Sequence, residues 1–265
     1  MRNRELNYET IENKQAFFRE ESENFIYERL RLDLTFTYRN KWRSYHDFAL
    51  FFNRDKVEDI VIRQLNPDFF PTEKPLYRYF SLSYTYNLDH RDIRPYPLKG
   101  FLLKAELKKD GFGIFKDRDA LTLRPRYEQY VALHPKWNLA NTLSGKYSFV
   151  RKPQPYNDNR AIGFREDFMR GYEYYLVDGL DMVLLKTSLR RELFNRNWYL
   201  GDWVPLETFR TMPMKCYLSL NQDLGYVNDP FAEGQNDFSG RLLWGKGLGL
   251  DMVFFFDKVF RVEYS

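Results

Sequence analysis

From Glu28 onward, hydrophobic and polar positions alternate along the chain. Leu30, Leu32, Leu34, Phe36 and Tyr38 share one side, and Arg29, Arg31, Asp33, Thr35 and Thr37 share the other. A period of two residues predicts a β-strand with one oily face. The pattern returns near Phe48, Leu50 and Phe52, although Ala49 and Phe51 blur it, and again over 77–87, where Phe80, Leu82, Tyr84 and Tyr86 oppose Ser81, Ser83, Thr85 and Asn87. Further strands are predicted over 101–108, 121–133, 137–150, 182–194, 214–227, 241–256 and 259–264. That makes about ten, most of them longer than the roughly 9–11 residues needed to cross a bilayer. Between them, Pro67, Pro71 and Pro75 predict a loop that cannot pair continuously, and Pro125 is awkward inside a paired strand.

Composition narrows the class. Aromatic residues make up 18% of the chain, with 24 Phe and 20 Tyr, yet mean hydropathy is −0.63 and 29% of residues are charged. No run approaches the roughly 20 apolar residues of a spanning helix. Long strands, apolar on one face and charged on the other, predict an all-β fold: a transmembrane antiparallel up-and-down β-barrel. On this reading Leu218, Leu220, Leu248, Leu250, Met252 and Phe256 face lipid, while Asn221, Asp223, Gly247, Gly249 and Asp251 face the interior. Tyr38, Trp42, Tyr86, Trp137 and Trp244, near strand ends, would form the interfacial girdles. A soluble sandwich also alternates, but its strands run nearer 5–6 residues. The net charge of +4 is too small and too evenly spread to argue for nucleic acid, and the single Cys216 excludes an internal disulfide.

Two segments fall outside the alternation. Residues 1–23 form a charged leading segment without the apolar stretch of a signal peptide, so 24–265 is taken as the barrel portion. Residues 151–181 carry Pro153, Pro155, Asn157, Asp158, Asn159, Gly163 and Gly179, and read as a loop of a length that is uncommon unless disordered or functional. Within it, Arg170-Gly171-Tyr172 combines a fork-shaped cation with a residue that lets the backbone pass closely, suiting a segment tucked against a carboxylate. No Ser/His/Asp arrangement, phosphate loop or Cys/His metal pattern is legible, and His46, His90 and His134 form no ligand cluster. No catalytic residue, metal or cofactor is therefore expected.

The ordered series Tyr79-Phe80-Ser81-Leu82-Ser83-Tyr84, Asp89-His90-Arg91-Asp92, Pro97-Leu98-Lys99-Gly100, Met169-Arg170-Gly171-Tyr172, Gln222-Asp223-Leu224-Gly225-Tyr226 and Gly247-Leu248-Gly249-Leu250-Asp251 resembles the bacterial surface-antigen barrels. This is the family of BamA/TamA-type outer-membrane assembly factors, and the likeness is to its Bacteroidetes-type members. The resemblance covers most of the chain from about Tyr77. It implies a bacterial outer-membrane protein that assists insertion of other barrel proteins, with lipid, unfolded outer-membrane clients and accessory assembly lipoproteins as partners. A secretion or transport pore of the same fold is the alternative, and an outer-membrane enzyme a remoter one. The resemblance also implies that 151–181 folds back into the lumen, with Arg170, Gly171 and Tyr172 as its tip motif and Asp223 as the acidic partner on the wall. Against the family pattern, periplasmic repeats, the first strands and the last strand are expected to be missing from this chain. Arg190 stands where a carboxylate would follow Ser188-Leu189, with Glu192 two residues on.

Overall fold

The alternating segments build one continuous ladder. In a computed structural model, the described residues are 2–3, 5–11, 15–20, 25–70, 74–115, 117–154, 156, 158–163, 167–202, 205, 207, 210–231, 237–254 and 258–265, with side chains from residue 25 onward. Pro71, Pro155, Asn157 and Phe256, named above, lie outside them. In chain order the strands are β1 (Arg2–Asn3), β2 (Glu5–Ile11), β3 (Gln15–Glu20), β4 (Tyr27–Lys41), β5 (Ser44–Val57), β6 (Leu76–Asp89), β7 (Gly100–Asp110) and β8 (Ala120–His134). They continue as β9 (Trp137–Ser148), β10 (Arg160–Ile162), β11 (Val177–Asp178), β12 (Asp181–Tyr199), β13 (Thr211–Asn228), β14 (Leu242–Val253) and β15 (Val259–Tyr264).

Eleven strands form a single sheet in the order β1-β4-β5-β6-β7-β8-β9-β12-β13-β14-β15, antiparallel throughout. Within this sheet each strand neighbours the one that follows it in the sheet's chain order; among the described residues β2 and β3 lie in the connection from β1 to β4, and β10 and β11 in that from β9 to β12. Among the described residues no ladder joins β15 back to β4. Connections 42–43, 90–99, 135–136, 200–210 and 254–258 lie at one end of the sheet, the turn side. Connections 58–75, 111–119, 149–180 and 229–241 lie at the other, the loop side.

The register puts like with like. Leu218 sits opposite Leu250 and Leu220 opposite Leu248, while Asp223 pairs with Gly245 and Tyr217 with Asp251. Asp223 and Asp251 are 0% exposed, whereas Leu34 on the other face is 72% exposed. Leucines, phenylalanines and tyrosines are exposed all along that outer face. A surface so apolar is what hydrocarbon requires of a barrel wall and what water would penalise. Of the rings expected in the girdles, Tyr38, Trp42 and Trp244 are exposed. Tyr86 and Trp137 are half-buried, Tyr86 beside the His46 ring and Trp137 under the Arg191 guanidinium, 5.5 Å from its centroid.

Pro125 is accommodated by a local interruption. It pairs with Ala105 of β7, but the β8–β9 ladder passes from Leu123–Tyr147 to Arg126–Ser144 with no rung at Arg124 or Pro125. Gly145 faces the proline ring there, so no side chain competes for the space. The two segments read without strands do contain them. Arg2–Asn3 pair with the start of β4, β2 and β3 form a separate hairpin within the charged leading segment, and β10 and β11 pair inside the long loop. The proline-rich 58–75 connection forms no strand among its described residues. Instead it makes a π-helical turn (Val61–Leu65) and a 3-10 turn (Pro67–Phe69) that fold Val61, Ile62, Phe69 and Phe70 onto Ile26, Val57 and Tyr77 as an apolar cap on the loop side.

Candidate functional site

Because the side-chain period of a strand is two, the inner faces of β12 to β15 line up in rows across the wall. One row holds Lys186, Asp223 and Gly245, and the next Ser188, Asn221 and Gly247. Then come Arg190, Ser219, Gly249 and Glu263, followed by Glu192, Tyr217, Asp251 and Arg261. This lattice of charges and glycines is where the long loop lies.

The loop is fixed along its length before its tip arrives. Tyr156 donates its backbone N–H to Asp68 O (3.0 Å), and Asp158 accepts from the Tyr77 hydroxyl (2.8 Å) and from Arg118, which also pairs with Asp110 at 2.9 Å. Lys146 of β9 donates to the carbonyls of Arg160 (2.9 Å) and Gly179 (2.7 Å), holding the open end of the β10–β11 pair where the chain enters and leaves it. Beyond this stem, Ala161, Ile162, Met169 and Val177 pack on Met182, Leu184, Val227 and Leu243 to form a small apolar core inside the wall. Each fully buried side chain of that size contributes roughly 1.5–3 kcal/mol, so Met169 is an anchor in its own right. Gly225 makes room for it: a Cβ there would lie 2.9 Å from Ile162 Cδ1 and 3.0 Å from Met169 Sδ.

At the tip the structure brings Arg170 and Asp223 together. Nη1 of Arg170 lies 2.7 Å from Asp223 Oδ1, and the backbone N–H of the same residue donates to Oδ2 at 3.0 Å. Both oxygens of a solvent-free carboxylate are thus engaged by one residue of the loop. The remaining edge of the guanidinium meets Glu263 of β15 through Nε and through Nη2 at 3.5 Å. Glu263 also accepts from Asn221 Nδ2 at 3.5 Å. Lys186 donates to the Phe168 carbonyl at 2.7 Å. Around this contact lies a cavity of about 510 Å³ that Tyr174, Arg261 and Tyr264 help to line.

The glycine roles differ from the sequence expectation. Gly171 was expected to let the loop approach the wall, yet a Cβ on it would make only an ordinary 3.9 Å contact with Gly245 Cα. Its contribution is conformational, since φ is +73° and the left-handed region costs a side-chain-bearing residue roughly 1–2 kcal/mol. The close approach depends on Gly245, where a Cβ would overlap the Arg170 carbonyl oxygen. Tyr172 turns away from the lock and packs edge-on against Phe238 (5.6 Å) beside Tyr175, joining the apolar core. Glu173 accepts from the Gly171 N–H at 3.1 Å and from the Ser265 hydroxyl. Burial would push its carboxyl up, but these donors and the Arg170 charge hold it below its ordinary range.

Residues 4–180, more than half of the chain and including the loop tip, match the Omp85 superfamily domain. The chain belongs to the Omp85 superfamily. Among solved structures, BamA from Haemophilus ducreyi lacking POTRA domains 1–3 superposes with a TM-score of 0.61 at 13% sequence identity, over 89% of this chain and 54% of that one. The chain therefore spans about half the length of that BamA structure. None of the curated proteins compared with it matches. As an Omp85 barrel it is a bacterial outer-membrane protein, which accounts for the apolar outer face.

The departure at Arg190 has a structural reason in this Omp85 chain. Arg190 is buried on the inner face but turns from the lock toward the turn side. Its Nη1 donates to the Pro97 carbonyl at 3.1 Å, and its guanidinium lies 4.6 Å from the Tyr96 ring centroid and 5.9 Å from that of Tyr130. The second carboxylate near Arg170 comes instead from Glu263. Glu192, two residues beyond Arg190, lies 3.4 Å from the Tyr217 hydroxyl and takes no part in the lock. Glu263, Gly245 and the Arg190–Tyr96 contact were not anticipated. For the glycines a signal existed, since Gly245, Gly247 and Gly249 alternate within one strand, and an interior strand glycine marks close backbone approach.

Proposed function

We propose that this Omp85 barrel assists insertion of unfolded outer-membrane proteins, with 24–265 as the barrel portion and 151–181 as a loop locked inside the lumen. The reading is supported by family membership, and the observation that carries it is the double engagement of buried Asp223 by the Arg170 guanidinium and backbone N–H. A loop fixed in this way gives the interior a defined shape and ties β13 and β15 together through one side chain. Removing Arg170 strands a desolvated carboxylate, so the lock is stiff. The outer face meets lipid, the longer connections point outward and the shorter turns face the periplasm, as is usual for outer-membrane barrels. Unfolded clients and accessory lipoproteins are the proposed partners.

The test is reconstitution of the full-length protein in liposomes with a denatured outer-membrane client. Insertion is expected to be catalysed by the native protein and slowed by Arg170→Ala. Absence of client insertion, together with ion conductance that rises in Arg170→Ala, would replace this reading by a transport pore.

A further inference from the structure

The β6–β7 connection is longer than its task requires. Adjacent antiparallel strands can be joined by two residues, yet residues 90–99 leave β6 and run across the inner face. Arg91 bonds Asp89 (2.9 Å) and Glu128 of β8 (3.2 Å), fixing the base of the connection. Further in, Asn138 of β9 donates to the Leu98 carbonyl and Arg190 of β12 to the Pro97 carbonyl. The Tyr96 ring packs against Tyr217 of β13 with centroids 5.0 Å apart, and its hydroxyl donates to Asp251 Oδ2 of β14 at 2.8 Å, across 155 residues of sequence. Tyr96 itself is buried. A hairpin connection thus crosses five strands that it does not join.

We infer that residues 90–99 form a second lumen insert, which closes the barrel interior from the turn side and is latched by Tyr96 on Asp251 and by Arg190 on Pro97. The two inserts enter from opposite ends and finish on adjacent rows of the wall. The loop tip reaches Glu263, and the turn-side insert reaches Asp251, the partner of Arg261, two residues from Glu263 on β15. Together they fill the interior along the inner faces of β13 to β15. At Asp251 the chemistry of the latch favours release. Asp251 is already neutralised by Arg261 through Nε at 2.6 Å and Nη2 at 3.2 Å, so departure of the phenol leaves an ion pair intact. This assignment rests on the geometry of the lumen and stands independently of whether the barrel inserts clients.

The experiment is ion conductance of the full-length protein in planar bilayers, with folding checked by resistance to unfolding in cold detergent. Replacing residues 93–98 by Gly-Gly is expected to raise the open fraction with the Arg170 lock intact. Tyr96→Phe, which keeps the ring and removes the donor, should raise it about tenfold, the change expected from losing one hydrogen bond to a charged acceptor. Combining either change with Arg170→Ala should open the pore further than Arg170→Ala alone. The inference is overturned if folded protein carrying the shortened connection conducts like the native protein, or if Arg170→Ala alone reaches the conductance of the combination.

Discussion

Asp223 and Asp251 lie on neighbouring strands, both shut off from solvent and both bonded to a segment that lies against the inner face of the sheet. Asp223 takes its guanidinium from the insert itself, through Arg170. Asp251 takes its guanidinium from the adjacent strand, through Arg261, and receives only a neutral phenol from the insert. The difference decides what happens when an insert leaves. On the loop side, departure removes the guanidinium and the backbone N–H that bond buried Asp223 and leaves it only Lys186 across the ladder. On the turn side it breaks the Tyr96–Asp251, Arg190–Pro97 and Asn138–Leu98 hydrogen bonds and the ring contacts of Tyr96, but leaves Asp251 paired with Arg261. Similar wall carboxylates therefore make one stiff lock and one releasable latch, and the location of the compensating charge separates them.

The largest effect should come from Arg170→Ala, at about 3–5 kcal/mol in denaturant unfolding of the barrel in vesicles, because buried Asp223 loses the guanidinium bonded to it and keeps only Lys186 across the ladder. Arg170→Lys should recover only part of this, since a point charge cannot bond Asp223 and Glu263 through one planar fork. Gly245→Val comes next, at about 1–3 kcal/mol, because its side chain meets the Arg170 carbonyl; the loop should also become protease-sensitive with every charge still present. Tyr96→Phe should fall at the low end of about 1.5–3 kcal/mol, as Arg261 remains on Asp251. If Tyr96→Phe costs as much as Arg170→Ala, the distinction between lock and latch fails.

The most local effect concerns the stem of the loop. Burial pushes the Asp178 carboxyl up to about 7, with Asp229 adding to the rise and Arg160 and Lys146 opposing it. A carboxyl raised in the folded state binds its proton more tightly there than in the unfolded chain. Its contribution is thus complete below its ordinary value of 3.8 and is lost as pH rises through about 7. Hydrogen exchange at 160–162 and 177–178 should accelerate over that window, and Asp178→Asn should abolish the dependence while leaving the Arg170 lock unchanged.

The strands were legible because each buries one face, and residues such as Leu30, Leu32 and Leu34 record that in a period of two. Asp223 was legible as an inward carboxylate by the same parity. Glu263 was not, since parity places it inward without saying which loop will reach across to it. Arg190 was visible only as a departure from a family pattern; its meaning depends on Pro97 and Tyr96, 93 and 94 positions away in sequence, 190 − 97 and 190 − 96. The β2–β3 hairpin escaped notice because residues 5–20 hold few apolar positions in alternation. Contacts made by backbone atoms, such as Arg170 N–H on Asp223, carry no residue signature at all.

That last kind of contact bears on how freely the loop can change. The wall grips the tip through main-chain atoms of Phe168 and Arg170, the latter seated over Gly245, and through the side chains of Met169, Arg170, Tyr172 and Glu173. Phe168 and Tyr174, on either side, are 45% and 86% exposed. A docking site that reads chain path more than residue identity tolerates drift at every position it does not touch. Replacing Phe168 and Tyr174 together by Ser should leave the loop seated, as measured by protease resistance.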